Sequence, residues 1–171
     1  VLLYNFVDHV KTRIDTIFNP ASDTDRFQIL KAAEAFGRGE WLGVGPGEGQ
    51  VKGVIPEAHT DFIFSVMAEE FGLIAVVALI AVYALITIRG FRAAARIEDG
   101  FARTASAGLF SLFAIQAAIN IGVNLGIVPP TGLTLPFVSY GGSSMIGMGL
   151  TLGLALALVR GEGTRSRGPY G

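Results

Sequence analysis

The stretch PEAHTDFIFSVMAEE, residues 56–70, holds the side chains of this chain that are best suited to chemistry. Its ionisable residues are Glu57, His59, Asp61, Glu69 and Glu70. A carboxylate can take a proton as a general base, and a carboxylate beside a phosphate can help to bind Mg²⁺ or Mn²⁺. A zinc site is disfavoured, because the chain has no cysteine and only two histidines.

The spacing of these residues leaves their arrangement open. In an extended segment Glu57, His59 and Asp61 would share one face, whereas in a helix Glu57 and Asp61 would share one. Asp61, or Thr60 before it, could equally cap a helix that follows. The two later acids lie about two turns into that helix, either at the level of the lipid headgroups or facing a polar cavity.

Three apolar runs are each long enough to cross a bilayer, which takes about 20 residues. They cover residues 61–88, with an interfacial start, residues 105–128 and residues 141–159. The chain is 51% hydrophobic and 16% charged, with a mean hydropathy of +0.54, which is too apolar for an ordinary soluble domain. A net charge of −1 gives no reason to expect a nucleic-acid partner. The predicted fold class is all-α, a polytopic transmembrane helix bundle.

The basic residues predict which side of the membrane each connection faces. Four arginines fall in the connection 89–104, and more follow the last span in the tail 160–171, so both are expected in the cytoplasm. The long loop 11–60 and the shorter loop 129–140 are then extracytoplasmic. Residues 1–10 are predicted to be the end of a truncated span, because Val1 opens directly on an apolar run. The sequence is therefore expected to be a piece of a longer protein.

Two local patterns organise the loops and spans. The loop 11–60 is predicted to contain a short amphipathic helix, with possible N-caps at residues 22–24 and apolar residues at Phe27, Leu30, Ala33 and Phe36. Glycines at positions 43, 45, 47 and 49 predict a tight turn with close backbone approach, and their spacing does not match a nucleotide-binding GxGxxG. The GxxxG pairs at 122/126 and 149/153 predict close packing of helices.

Two longer motifs resemble the signatures of a known family. IPEAHTDFIFSVMAEEFGLI, residues 55–74, and GIVPPTGLTLPFVSYGGSSMIG, residues 126–147, are similar to motifs of the SEDS family (shape, elongation, division and sporulation). These are polytopic bacterial proteins that polymerise lipid II into glycan strands. With the GPGEG turn, the resemblance runs over nearly all 171 residues. It is closer to the division member of the family than to the elongation member, and it corresponds to the C-terminal part.

The resemblance implies a function and a location. It implies a peptidoglycan glycosyltransferase in the inner (plasma) membrane of a bacterial cell, multi-pass, acting at the division septum. The implied substrates are lipid II and the undecaprenyl-diphosphate-linked glycan. The implied partners are a class B penicillin-binding protein, which is a transpeptidase, and other membrane proteins of the division complex. A lipid II flippase or transporter, and a non-catalytic scaffold of that complex, are the alternatives.

The resemblance also implies roles for individual residues. Asp61 matches the aspartate implicated in catalysis in this family and is implied to be the general base. The diphosphate leaving group needs positive charge, from Mg²⁺ or Mn²⁺ or from a basic side chain, with Lys52 the first choice and Arg26 or Arg38 the others. The residues expected to bind substrate are Lys52, Glu57, His59, Thr60, Ser139, Tyr140, Gly141, Gly142 and Ser143.

One position departs from the family's pattern. Gly53 stands where some relatives carry a functional glutamate, eight residues before the aspartate. The role of that acid is therefore dispensable, or taken by Glu48 or Glu57, or lost.

The predicted orientation can be tested directly, because the chain has no cysteine of its own. A cysteine that replaces Arg96 should be protected from an impermeant thiol reagent in whole cells, since it would face the cytoplasm. A cysteine that replaces Gly47 should react with the same reagent. The reverse pattern of labelling would overturn the orientation.

Overall fold

The computed structural model describes residues 23–54 and 60–165, and every regular element in these two ranges is a helix. The predicted site residues Glu57 and His59 lie outside the described residues. In chain order the elements are α1 (Asp23–Gly39), a short 3-10 turn (Val51–Gly53), α2 (Ile63–Ala94), α3 (Gly100–Asn124) and α4 (Gly142–Arg165). The all-α fold class is confirmed for this part of the chain.

Three of these helices are long and apolar enough to cross a membrane. They are Ile63–Ala94, Gly100–Asn124 and Gly142–Gly161, and each overlaps one of the predicted runs with different ends. α3 packs between the other two, and its Phe113 ring lies 5.6 Å from the Tyr83 ring of α2. Met148 of α4 joins the same buried cluster. Because successive helices are antiparallel, the start of α2, the end of α3 and the start of α4 lie at one end of the bundle, called here the Asp61 end.

α2 is interrupted at Gly72, where the backbone adopts φ +76° and ψ −178°. Only glycine reaches this region without strain, since a β-carbon would collide with its own backbone. The residues after the break, 73–94, form a helix of about 33 Å, which is long enough to cross the hydrocarbon layer alone. Residues 63–71 are thus a separate short helix, and its predicted location at the membrane interface stays a prediction.

The glycine-rich turn fills the interruption in α2. A break in a helix leaves backbone N–H and C=O groups without partners, and such groups are costly to bury. Here the turn supplies the missing partners through four backbone hydrogen bonds. They are Leu73 N–H to Glu40 O at 2.9 Å, Ile74 N–H to Trp41 O at 3.4 Å, Val44 N–H to Glu69 O at 2.9 Å and Gly45 N–H to Glu70 O at 3.1 Å. The close backbone approach expected of this turn is therefore present, and its partner is the broken helix.

α1 packs against α2 through its smallest residues. Ala32 and Ala35 are completely buried, and a β-carbon on Gly39 would lie only 1.8 Å from the carbonyl oxygen of Ala68. Phe27 and Leu30, part of the expected apolar face, are exposed. Phe36, from the same expected face, does pack against α2, with its ring 5.9 Å from the Phe64 ring. The expected apolar face is therefore only partly the packed one.

The GxxxG pairs do not act as predicted in the described part of the chain. Gly126, at φ +70°, ends α3: Ile127 N–H bonds to Gly122 O at 2.9 Å and Gly126 N–H to Val123 O at 3.0 Å, the Schellman pattern of a helix C-terminus. Gly149 and Gly153 have open space beside them among the described residues. The prediction of helix packing through these glycines is wrong for the first pair and stays a prediction for the second.

The interruption at Gly72 gives a stability prediction. In Gly72→Ala the new β-carbon would lie 2.5 Å from Gly43 N and from Trp41 O, so the turn must leave the break and unpaired backbone groups result. Each buried group left unpaired costs about 1–3 kcal/mol. The thermal unfolding temperature of the purified protein in detergent should therefore fall clearly.

The matched control is Gly108→Ala, which lies inside α3 with nothing within 4 Å of the added carbon. It should keep or slightly raise the unfolding temperature, since alanine is favoured over glycine in a helix. Equal unfolding temperatures for Gly72→Ala and the wild type would show that the turn does not support the break.

Candidate active site

Asp61 lies two residues before α2, at the Asp61 end of the bundle, and is only 8% exposed. The aromatic residues that follow explain this placement. Phe62 and Phe64 are almost completely buried, and they fix the start of α2 in the apolar interior. The carboxylate is therefore held at the edge of the core by the hydrophobic residues next to it in sequence.

The backbone on both sides of the Asp61 α-carbon is held by hydrogen bonds from other elements. Asn120 and Asn124 of α3 donate from their side-chain Nδ2 atoms to the Asp61 carbonyl oxygen, at 3.0 and 2.8 Å. Ser139 donates from Oγ to the Thr60 carbonyl oxygen at 2.6 Å. The peptide groups before and after Asp61 are thus both fixed, so the direction in which its side chain leaves the backbone is fixed as well.

Asn124 also completes the start of α2. The N-cap residue is Phe62, which has no side-chain oxygen to accept from the free N–H groups of the first turn. Asn124 Oδ1 instead accepts from Ser65 N–H at 3.0 Å and from Ser65 Oγ at 2.7 Å. Neither Thr60 nor Asp61 occupies the cap position, so the alternative reading of Asp61 as the helix cap is not what the structure shows.

The second loop, residues 125–141, closes over Asp61 from the other side. Its backbone carbonyls accept hydrogen bonds from the membrane helices: Leu133 O from Asn120 at 2.6 Å, Thr134 O from Gln116 at 3.0 Å and Pro136 O from Tyr83 at 2.6 Å. Gly132, at φ +72°, brings its backbone so close that a β-carbon there would lie 3.9 Å from Asp61 Oδ2. The loop and the carboxylate therefore form one site.

The predicted substrate residues of the second loop separate into two groups. Ser139 is buried, and besides its bond to Thr60 its Oγ accepts from Leu135 N–H at 2.7 Å, so it holds backbone in place. Tyr140 is 82% exposed, and Gly142 and Ser143 at the start of α4 are also exposed. Gly141 between them is partly exposed, so these four residues are accessible to a ligand and Ser139 is not.

Lys52 is engaged at a different place. Its Nζ donates to Glu70 Oε1 at 2.9 Å and to the Gly47 carbonyl oxygen. Glu70 lies two turns into α2, about 10 Å of helix rise beyond its start. The structure thus brings Lys52 to the glycine-rich turn, with no hydrogen bond to Asp61 among those described. Gly53, which replaces the glutamate of some relatives, is exposed with open space beside it.

Glu69 accepts hydrogen bonds from the backbone that directly follows the glycine-rich turn. It is almost completely buried, and it accepts from Gln50 N–H at 3.1 Å and from Val51 N–H at 2.9 Å. Arg38 of α1 lies 3.7 Å from Glu69 and also pairs with Glu34. The side-chain hydrogen bond from Lys31 to Glu34 is the main reason that the pKa of the Glu34 carboxyl lies below its usual value. These charges connect α1 to the turn.

The residues that the structure describes gather no group of three histidine, aspartate or glutamate side chains that could hold a metal ion. Asp61 is the one described acid at this site, and Mg²⁺ is commonly held by one or two carboxylates together with the phosphates of a substrate. Mg²⁺ or Mn²⁺ at this site therefore stays a prediction.

The sequence reading missed the residues that hold the site. Asn120, Asn124 and Gln116 lie in the apolar run of α3, where they are amides among hydrophobic residues. Polar residues inside a membrane span usually have a specific partner, and asparagines four residues apart share one helix face. The polar residues in this apolar run therefore indicate that α3 has specific hydrogen-bond partners. They do not indicate which partners, because these are backbone carbonyls far away in the sequence.

Curated relatives are similar in sequence to this chain over most of its length. The probable peptidoglycan glycosyltransferase FtsW of Caulobacter vibrioides is 50% identical over 168 residues, which cover 98% of this chain and 42% of that protein. The protein of the same name in Geobacter metallireducens is 44% identical over 165 residues, covering 95% of this chain and 43% of its own length. The chain thus spans about two fifths of the length of these curated relatives.

Solved structures agree with the fold. A chain of a peptidoglycan synthase complex, studied for its coordination of polymerization and crosslinking, matches with a TM-score of 0.72 and 34% identity over 88% of this chain and 41% of that one. The crystal structure of a mutant of the rod shape determining protein RodA of Thermus thermophilus matches with a TM-score of 0.59 and 42% identity, over 62% of this chain and 36% of that one.

The family itself is settled by its sequence profile. The profile of the FtsW/RodA/SpoVE family, described as a cell cycle protein, matches residues 1–162. This confirms the resemblance to the SEDS family and agrees with the three helices suited to crossing a membrane. The chain belongs to the FtsW/RodA/SpoVE family of multi-pass membrane proteins.

Proposed function

We propose that the protein carrying this chain is a peptidoglycan glycosyltransferase that polymerises lipid II into glycan strands, with Asp61 as the general base. The observation that carries the proposal is a nearly buried carboxylate whose flanking peptide groups are both held by hydrogen bonds. Such a fixed group suits proton transfer, which requires the base to stay within hydrogen-bond reach of the proton. The names of the relatives support the same activity.

The reaction joins two lipid-linked disaccharides. The 4-hydroxyl of an N-acetylglucosamine attacks the anomeric carbon of an N-acetylmuramic acid that is linked to a lipid diphosphate. A new carbon–oxygen bond forms, the bond to the diphosphate breaks, and the diphosphate leaves with the electron pair. Asp61 takes the hydroxyl proton during the attack. The bond changes from α to β, as expected for one inverting displacement.

The location of Asp61 fits a substrate that is part lipid and part sugar. Residues 73–94 can cross the membrane on their own, and Asp61 precedes the short helix that comes before them. A carboxylate at this position would stand near the membrane surface, where the sugars of a lipid-linked substrate lie. We infer that the Asp61 end faces the outside of the inner membrane, with the basic connection 89–104 in the cytoplasm.

The two groups of predicted substrate residues receive different roles. Tyr140, Gly142 and Ser143, which are accessible, are proposed to contact the sugar or the diphosphate, together with Gly141 beside them. Thr60 and Ser139 are proposed to act through the backbone around Asp61. Contacts from Glu57 and His59 remain a proposal about residues that the structure does not describe.

The described residues leave open which group supplies the positive charge for the leaving group. Lys52 is paired with Glu70, and the described residues gather no group of three metal-binding side chains, so a bound Mg²⁺ or Mn²⁺ would take further ligands from the substrate or from other residues. The proposed partners are a class B penicillin-binding protein and other membrane proteins of the division complex, and the proposed location is the division septum. One solved relative is a chain of a peptidoglycan synthase complex, which supports a synthase partner.

The central prediction concerns the proton. In the full-length protein Asp61→Asn keeps the shape of the side chain but cannot accept a proton, so polymerisation of purified lipid II should fall by roughly 10²–10⁴-fold. Binding of lipid II should survive, because the proton is taken only during the reaction. Glycan chains on gels report the first quantity, and a direct binding measurement reports the second. Glu57→Gln, beside it in sequence, should have a milder effect.

Each contrary outcome has its own meaning. Near-normal chains from Asp61→Asn would remove Asp61 as the base. Loss of binding together with loss of chains would instead indicate a ligand for substrate or metal. If the wild-type protein forms no glycan but transports lipid II, and Asp61→Asn loses that transport, the flippase would be favoured. If Asp61→Asn retains full function in cells, the scaffold would be favoured.

The role of Lys52 can be tested by exchanging charges. If Lys52 serves only to hold the glycine-rich turn through Glu70, then Lys52→Glu should lower activity and the double variant Lys52→Glu with Glu70→Lys should restore much of it. The pair is partly exposed, so an effect of only a few-fold is expected, about 1 kcal/mol or less. A double variant as inactive as Lys52→Glu alone would instead support the original expectation that Lys52 offsets the charge of the diphosphate.

A further inference from the structure

We propose that Asn120 is a positioning residue for Asp61: its amide fixes the backbone of the base and the backbone of the second loop at the same time. The inference rests on the proposed function, since it assumes that Asp61 takes the proton. Asn120 is almost completely buried in α3, and its two Nδ2 hydrogens point to two different segments. One bond reaches Asp61 O at 3.0 Å and the other reaches Leu133 O at 2.6 Å.

The orientation of the amide follows from its partners. A backbone carbonyl can only accept a hydrogen bond, so the atom facing Asp61 O and Leu133 O must be the nitrogen, which carries two hydrogens. The same reasoning fixes Asn124, whose oxygen faces the N–H of Ser65 and whose nitrogen faces Asp61 O. Both amides therefore have one possible orientation, and an aspartate could not replace either of them.

The bonds also saturate the carbonyl of Asp61. This oxygen has two lone pairs, and it accepts from both asparagines. Without Asn120 one lone pair would lose its partner in a buried place, and the peptide could rotate to find another. Since that peptide is bonded directly to the Asp61 α-carbon, a rotation would turn the carboxylate away from its place.

The bond to Leu133 extends this effect to the rest of the site. Gly132, the residue before Leu133, borders the Asp61 carboxylate, where an added β-carbon would lie 3.9 Å from Oδ2. One amide thus sets the distance between the base and the loop that closes over it. A change of about 1 Å in such a distance can cost up to 10²-fold in rate, whereas the affinity for a large lipid substrate depends on many other contacts.

The experiment uses the full-length protein, purified lipid II, and single-turnover rates with binding measured in parallel. Asn120→Leu has a similar volume and removes both hydrogen bonds. We expect the rate constant to fall by about 10–10²-fold while the Kd for lipid II changes little. In an Asp61→Asn background the same substitution should cost almost nothing more, because a residue that acts through Asp61 has no effect once the base is gone.

The matched control is Gln116→Leu, on the same face of α3 one turn earlier. Gln116 also donates to the second loop, at Thr134 O, but it makes no described contact with Asp61. Its effect on the rate should be clearly smaller and should persist in the Asp61→Asn background. If Asn120→Leu does not accumulate as folded protein, Asn120→Ser keeps one hydrogen-bond donor and should show an intermediate rate with unchanged binding.

The outcomes separate this inference from the proposed function. A wild-type rate for Asn120→Leu, or an equal loss in the wild-type and Asp61→Asn backgrounds, would overturn the positioning role and leave Asp61 as the base. A wild-type rate for Asp61→Asn would overturn the proposed base, and the positioning role with it. A loss of binding that parallels the loss of rate would also overturn it, because Asn120 would then support the fold or the substrate pocket as a whole.

Discussion

A peptide group that leaves a helix inside an apolar bundle must find a hydrogen-bond partner within the protein, and the Asp61 end of this molecule depends on that constraint. Besides the second loop, two stretches of backbone are not helical there: the interruption of α2 and the segment around Asp61. The first is completed by the backbone of the glycine-rich turn. The second is completed by amide and hydroxyl side chains from α3 and the second loop. Once these partners are in place, little freedom remains in either stretch.

This constraint connects structural features that the sequence presents separately. Gly72 and Gly43 allow two backbones to meet, and Glu69 and Glu70 hold the turn that results. A membrane helix can then be preceded by a short separate helix. The Asp61 carboxylate lies just before that short helix, and its backbone is fixed. Catalysis by a general base requires such a fixed geometry more than it requires a large number of charged groups. A single carboxylate among the described residues of this site is therefore compatible with the proposed chemistry.

The sequence predicts the large elements well, because they depend on composition over many residues. The three helices suited to crossing a membrane follow from runs of apolar side chains. It predicts less about partners that are far apart in the chain. The bond from Asn124 to Asp61 joins residues 63 positions apart, and nothing local indicates it. Gly126 shows the same limit, because a glycine four residues after another can either pack two helices or end one, and only the backbone conformation decides.

The central claim is that the fixed Asp61 carboxylate accepts the proton of the attacking hydroxyl. The measurement that tests it most directly is the pH dependence of the rate at which the first glycosidic bond forms, under single-turnover conditions, for the wild type and for Asp61→Asn. A base must be ionised to act, so the wild-type rate should fall at low pH, and the residual rate of Asp61→Asn should lack that fall. The same acid limb in both proteins would show that another group takes the proton and would contradict the account.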